Sequence, residues 1–166
     1  DDRQHANWDV MLDACREIAE YGAGAGVTFA VETGPEPAAL LKRFLDEVGS
    51  RGLGVNLDPA NLVMVAGDDP VQAVHTLSDY IVHTHAKDGV QTRAGSVAAL
   101  FGRDAEATPV AYREMPLGEG DVDWDRYLDA LEQIGYNGFL TIEREVGDDP
   151  AADIGAAIDF LRGKIG

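Results

Sequence analysis

The sequence predicts an α/β chain of parallel strands joined by helices. Three observations point there: four short β-rich runs, helical stretches between them, and a polar residue at the carboxyl end of every run. Strands alternating with helices in this way form a parallel sheet with right-handed crossovers.

The elements follow in order. Residues 8–21, WDVMLDACREIAEY, place Trp8, Met11, Leu12, Cys15, Ile18 and Ala19 on one helical face, the i, i+3, i+4, i+7 spacing of a buried stripe. Asn7 offers an N-cap, and the GAGAG run at 22–26 is expected to end the helix. VTFAVE (27–32) reads as a strand closed by Thr33-Gly34-Pro35, and PAALLKRFLDEVG (37–49) as a helix with Pro37 near its start and Gly49 near its end. LGVNLD (53–58) is a strand stopped by Pro59, and a helix follows Asp69-Pro70. DYIVHTHA (79–86) is the third strand. Residues 88–121 form a long Gly-containing stretch of weak periodicity, of the length that functional or mobile loops have. DWDRYLDALEQIG (123–135) is a helix capped by Asp121 or Asp123, GFLTIE (138–143) the fourth strand, and ADIGAAIDFLRGKI (152–165) the last helix. Residues 1–166 thus read as a single domain, one helix followed by four βα units.

Composition narrows the function classes. Of 166 residues, 45% are hydrophobic and 26% charged, the balance of a globular domain. The net charge of −17 repels phosphate backbones and anionic lipid, so neither nucleic acid nor membrane is an expected partner. No apolar run reaches the ~18 residues of a membrane span. The acidic opening DDRQHANWDV carries no signal-peptide pattern, and a cytoplasmic location is expected. The single cysteine, Cys15, excludes an internal disulfide and a Cys-based zinc site, and reads as a small core residue.

The chemistry lies at the strand ends. In parallel α/β folds ligands sit at the carboxyl ends of the strands. Here those ends carry Glu32, Asp58, His83-Thr84-His85 and Glu143. Taken singly, each has an ordinary explanation: a cap, a turn, a salt bridge or a hydrogen-bonded core histidine. Jointly, all four units break their apolar pattern at one level. Carboxylates gathered with an imidazole call for a cation, and three oxygens with one nitrogen suit Mn²⁺, Mg²⁺, Co²⁺ or Zn²⁺.

Four segments in order, GVNLDPANLVM (54–64), YIVHTHAKDG (80–89), PLGEGDVDW (116–124) and GYNGFLTIERE (135–145), resemble the second half of the xylose isomerase-like TIM barrels. This is the sugar phosphate isomerase/epimerase and AP-endonuclease family 2 group. The resemblance covers about residues 8–162. It implies four consecutive βα units of a (β/α)8 barrel, a half barrel in this chain, with a divalent metal at the mouth. Carried over, the metal ligands are Glu32, Asp58, His85 and Glu143. His85 is preferred to His83 because the family's ligand stands before the x-Lys-Asp step, here Ala86-Lys87-Asp88. Asn61 stands where several sugar epimerases of the group have a substrate-contacting His, and Lys87 is a second candidate for substrate contact, or a rim partner of Asp88 or Glu114. Glu119, in a tight turn, Arg144 and Glu145 are left outside the catalytic set, and Trp124 reads as core.

A closed barrel needs more than four such strands, and open edges invite association. The preferred expectation is a chain that is the C-terminal part of a longer polypeptide; a partner supplying the missing half and a self-associating half barrel are the others. The resemblance implies a metal-dependent isomerase or epimerase acting on a sugar or sugar phosphate, with Glu32 and Glu143 moving a proton through an enediolate. A dehydratase or lyase acting on a keto-inositol or keto-glycoside is the same-fold alternative. A non-catalytic binding module with an incomplete barrel is the alternative of another class. AP-endonuclease chemistry needs more His and a basic face than four His and a charge of −17 provide.

Overall fold

The computed structural model describes residues 7–165. In chain order the elements are α1 (Trp8–Ala25), β1 (Phe29–Glu32), α2 (Ala38–Val48), β2 (Leu53–Leu57), α3 (Pro59–Asn61, continued by a π-helical turn over Leu62–Ala66), α4 (Pro70–Thr76), β3 (Ile81–Ala86), β4 (Asp88–Arg93), α5 (Val97–Leu100), β5 (Ala111–Met115), α6 (Trp124–Gln133), β6 (Leu140–Ile142) and α7 (Pro150–Ile165). The parallel sheet has the order β1-β2-β3-β6, and β4 and β5 make a separate antiparallel pair. This is the arc of an α/β barrel, with β1 and β6 at its two edges.

The alternation of side chains in the strands places the core. Val55 and Leu57 of β2 and Thr84 and Ala86 of β3 are fully buried, beneath amphipathic helices. Helix α2 contributes Leu41, Phe44, Leu45 and Val48 to this core, and α6 contributes Trp124, Tyr127, Ala130 and Leu131. Each large side chain removed from water in this way stabilises by roughly 1.5–3 kcal/mol. Thr84 is tolerated there because its hydroxyl bonds Leu57 O at 2.8 Å and the Tyr127 hydroxyl at 2.5 Å. Burial holds the Tyr127 phenol well above its ordinary pKa.

Several boundaries differ from the sequence expectation. Helix α1 runs through the glycines to Ala25 and stops at Gly26, whose φ of 74° is left-handed. The run thus ends the helix at its last glycine, while Gly22 within it and Gly52 before β2 permit close backbone approach. A Cβ on Gly52 would lie 1.8 Å from the Ala19 carbonyl oxygen, and one on Gly22 2.9 Å from that of Val27. Asn7 occupies the N-cap, but its side chain makes no cap hydrogen bond. Pro59 ends β2 and also begins α3, capped by Asp58. Asp69 caps α4, and Asp123, not Asp121, caps α6. Cys15 is partly buried against the core, which raises its thiol pKa.

The largest departure is in residues 88–121. Much of this stretch is the β4–β5 hairpin, registered from Asp88 opposite Met115 to Arg93 opposite Ala111. The hairpin rests on the π-helical turn: Gln91 Nε2 donates to Met64 O at 3.2 Å. Asp88 organises the segment that follows. Its carboxylate accepts from the backbone N–H groups of Gly118 (2.9 Å) and Val122 (3.2 Å) and from Trp124 Nε1 (2.9 Å). Trp124 is therefore both core and anchor, and Asp88 is not the partner of Lys87.

Gly52→Ala is expected to destabilise the fold by about 2 kcal/mol or more, because the clash is with backbone. Gly24→Ala, in helix α1 with nothing within 4 Å of a Cβ, is expected to stabilise by up to ~1 kcal/mol. Urea unfolding of the pair checks both signs.

Candidate metal centre

The four strand ends bring their polar residues to one point. Glu32 is the last residue of β1, Asp58 follows β2, His85 lies in β3 and Glu143 follows β6. One ligand-type atom from each lies within 4.8 Å of the others. His85 Nδ1 is the hub, 3.2 Å from Glu143 Oε2, 3.4 Å from Asp58 Oδ2 and 3.5 Å from Glu32 Oε1.

Each donor is held from behind. Asp58 is fully buried, and its Oδ1 accepts from the N–H groups of Ala60 (2.8 Å) and Asn61 (3.1 Å), which leaves Oδ2 turned toward His85. The Thr33 hydroxyl donates to Asp58 O at 2.9 Å and accepts from Asp58 N at 2.8 Å, tying the end of β1 to that of β2. Asn61 Nδ2 donates to Glu32 Oε1 and to Thr33 O, both at 3.0 Å. Lys87, only 4% exposed, donates to Glu143 Oε2 at 3.0 Å and also to Glu145. Its Nζ lies 3.9 Å from Glu114 and 4.0 Å from Asp58. Burial opposes its charge, yet the hydrogen bonds to Glu145 and Glu143 hold the ammonium above its ordinary pKa.

The electrostatics are those of a site short of positive charge. Like charges about 4 Å apart repel by roughly 4 kcal/mol even at an effective dielectric near 20. Burial raises the Glu32 pKa, and the neighbouring Asp58 and Glu143 carboxylates add to it while His85 opposes. The hydrogen bond to Asp58 raises His85 above its ordinary 6.5, helped by Glu143 and Glu32 and opposed by burial. In effect the ring recruits a proton where a cation fits.

The donor set suits a divalent cation. Four donors at ~2.0–2.4 Å from one ion are ~3–4.5 Å from each other, the spread found here. The second imidazole nitrogen supplies an independent sign. His85 Nε2 lies 3.0 Å from Asn56 Nδ2, while the buried Asn56 Oδ1 has no partner among the described residues. A half-turn of the Asn56 amide exchanges its oxygen and nitrogen at nearly the same positions. Turned over, Asn56 accepts the Nε2 proton and leaves the Nδ1 lone pair facing the three carboxylates, the tautomer a metal ligand requires.

The other sequence candidates fall as follows. His83 bonds Thr141 Oγ1 through Nε2 at 2.8 Å and meets His85 edge-on, outside the cluster. Asn61 adjoins the cluster and also lines a cavity of about 350 Å³ with Leu100, Phe101 and Tyr112. Lys87 is enclosed by carboxylates. Arg144 does not pair with Glu145; it bonds Glu114 and Asp153, both at 2.7 Å. Thr33 and Asn56 carried no local signal, because their partners are 25 and 29 residues away, whereas Glu114 was a candidate partner of Lys87 and stands 3.9 Å from it.

Parallel βα units with metal-capable donors gathered at their carboxyl ends define an α/β-barrel metal-site architecture. The chain belongs to the xylose isomerase-like TIM barrel family, whose sequence pattern matches residues 1–164. It is 24% identical over 148 residues to an inosose dehydratase of Geobacillus thermodenitrificans, covering 87% of this chain and 48% of that protein. It is 33% identical over 78 residues to an L-ribulose-5-phosphate 3-epimerase of Escherichia coli, covering 46% and 27%. A xylose isomerase domain protein of Planctomyces limnophilus superposes with a TM-score of 0.78 at 30% identity, covering 95% and 52%. A xylose isomerase-like TIM barrel protein of Mycobacterium smegmatis, in complex with magnesium, superposes at 0.72 with 18% identity, covering 96% and 51%. The chain thus spans about half the length of the dehydratase and less of the epimerase. No described helix is long and apolar enough to cross a membrane.

The raised His85 pKa sets a pH dependence. The protonated ring stabilises the metal-free fold fully below pH 6.5, and that contribution is lost as pH rises through the raised value. A metal needs the neutral ring, so its affinity grows over the same range. The Mn²⁺-induced rise in Tm is expected to be larger near pH 8 than near pH 6; a rise independent of pH contradicts the role given to His85.

Proposed function

We propose that this chain carries the metal and proton-transfer site of a divalent-metal-dependent isomerase or epimerase of sugars or sugar phosphates. The observation that supports it most is the meeting of Glu32, Asp58, His85 and Glu143 within 4.8 Å, with Glu32 and Glu143 on the two edge strands. These four residues would hold Mn²⁺, Mg²⁺, Co²⁺ or Zn²⁺. When bound, such an ion supplies Lewis-acid polarisation of the substrate carbonyl.

The remaining chemistry belongs to the side chains. Glu143, ion-paired with Lys87, enters as a carboxylate and takes the proton from the carbon next to the carbonyl. The C–H electron pair becomes the C=C bond of an enediolate, and the former carbonyl oxygen takes up the charge. Glu32, whose carboxyl burial holds above its ordinary pKa, returns a proton to the same carbon from the other side, which gives the epimer, or to the former carbonyl carbon, in which case the hydroxyl proton of the first carbon passes to the former carbonyl oxygen as the new carbonyl forms. The product is an epimer or an aldose–ketose isomer, and in the reverse direction the two roles exchange. Asn61 keeps Glu32 oriented and meets the substrate from the adjoining cavity. Lys87, whose Nζ donates to Glu143 Oε2 at 3.0 Å, keeps that carboxylate oriented.

A second reading draws on the dehydratase relative, whose match covers 87% of this chain. The same acid–base pair can remove a proton next to a carbonyl and protonate a departing hydroxyl, so that water is eliminated from a keto-inositol. A lyase on a keto-glycoside differs only in the leaving group. A panel of free ketoses, ketose phosphates, keto-inositols and keto-glycosides, with product analysis, separates these chemistries. Metal and sugar binding without turnover of any member would favour a binding module instead.

Glu143→Gln is expected to lower turnover of the accepted substrate by about 10²–10⁴-fold, the range of a lost general acid or base. Unchanged turnover in that variant would remove Glu143 from the mechanism.

A further inference from the structure

The β4–β5 hairpin bears none of the four donors, yet one of its side chains reaches the strand end that carries Glu143. Glu114 in β5 has a side chain only 7% exposed. Its Oε1 accepts from Arg144 Nη1 at 2.7 Å and from the backbone N–H of Glu145 at 3.1 Å. Its Oε2 stands 3.9 Å from Lys87 Nζ, the same ammonium that donates to Glu143 at 3.0 Å. On the far side, Arg144 Nε donates to Asp153 Oδ2 of α7 at 2.7 Å. The residues just after Glu143 are therefore gripped between the hairpin and α7.

The grip matters because the sheet holds this end weakly. Strand β6 has three residues and lies at an edge of the sheet. Past it, Glu143 keeps one ladder bond, from its N–H to Ala86 O at 3.1 Å, and the backbone beyond is not strand. A carboxylate that accepts a backbone N–H and an arginine at a nearly enclosed site fixes that backbone more firmly than an edge ladder does.

We propose that Glu114 is a positioning residue for Glu143: by clamping Arg144 and the Glu145 N–H, the hairpin sets where the Glu143 carboxylate stands relative to His85, and so tunes cation binding. The inference rests on the metal-site reading above and adds a device outside the four donors. Partners behind metal ligands typically carry a 10–100-fold effect on affinity when lost.

The test is Mn²⁺ affinity by calorimetry, with Co²⁺ absorption as a report on donor geometry. Glu114→Ala is expected to weaken Mn²⁺ binding 10–100-fold and to shift the Co²⁺ bands. Glu114→Gln, whose amide oxygen still accepts the Glu145 N–H, is expected to recover most of that loss. Thr92→Ala, at an exposed position on the same hairpin, is expected to bind as wild type. Should Glu114→Ala not fold, Arg144→Met breaks the same clamp and is expected to show the same loss. Wild-type affinity and spectrum in Glu114→Ala, or in Arg144→Met when that variant stands in, overturn the proposal, as does an equal loss in Thr92→Ala. If wild type binds no Mn²⁺ or Co²⁺, the metal-site reading itself fails and this inference with it.

Discussion

The structure depends on one electrostatic constraint: three carboxylates face a single imidazole nitrogen, and each comes from a different strand end. Water would solvate such groups separately. Here Asp58 is fully buried and the His85 side chain is 14% exposed, while Glu32 and Glu143 keep 40% and 30% of theirs in solvent, so water meets only part of the repulsion. A proton on His85 and the ammonium of Lys87 meet part of it. In the metal-site reading proposed above, a divalent cation would meet it more completely, replacing the proton and facing all four donors at once.

The surrounding architecture makes sense as a frame for that constraint. Parallel βα units deliver every strand end to one rim, and polar ties cross that rim in pairs: Thr33 with Asp58, Asn61 with Glu32, Asn56 with His85, Lys87 with Glu143. Asp58 joins two tasks, since one oxygen caps α3 while the other faces the cluster. The helix start thereby orients the donor. The hairpin adds a further layer from above, seated on the turn that follows Asp58 and reaching across to the backbone after Glu143.

The alternation of strands and helices was legible in the sequence because each helix carries a narrow apolar stripe and each strand a short β-rich core. The level at which Glu32, Asp58, His85 and Glu143 sit was legible for the same reason: each interrupts an apolar pattern where a strand runs out. The hairpin was not. DGVQTR and AYREM have few apolar residues and no clean alternation, and their pairing spans a long intervening loop. The extra residue of β3, where Val82 is passed over between the Val55–Ile81 and Asn56–His83 pairs, also leaves no local mark. Nor does Asn56 declare itself, since an isolated polar residue acquires a role only from what the fold sets against it. The end of α1 was legible to within the glycine run, since its last member, Gly26, takes the left-handed conformation that closes the helix.

The most direct measurement of the central claim is anomalous diffraction from crystals of this chain grown with Mn²⁺. The account predicts a peak between Glu32, Asp58, His85 and Glu143, with Nδ1 of His85 and an oxygen of each carboxylate ~2.0–2.4 Å from it. Crystals equilibrated with Mn²⁺ that show no peak there, with the His85 ring still bonded to Asp58 and Glu143, would contradict it.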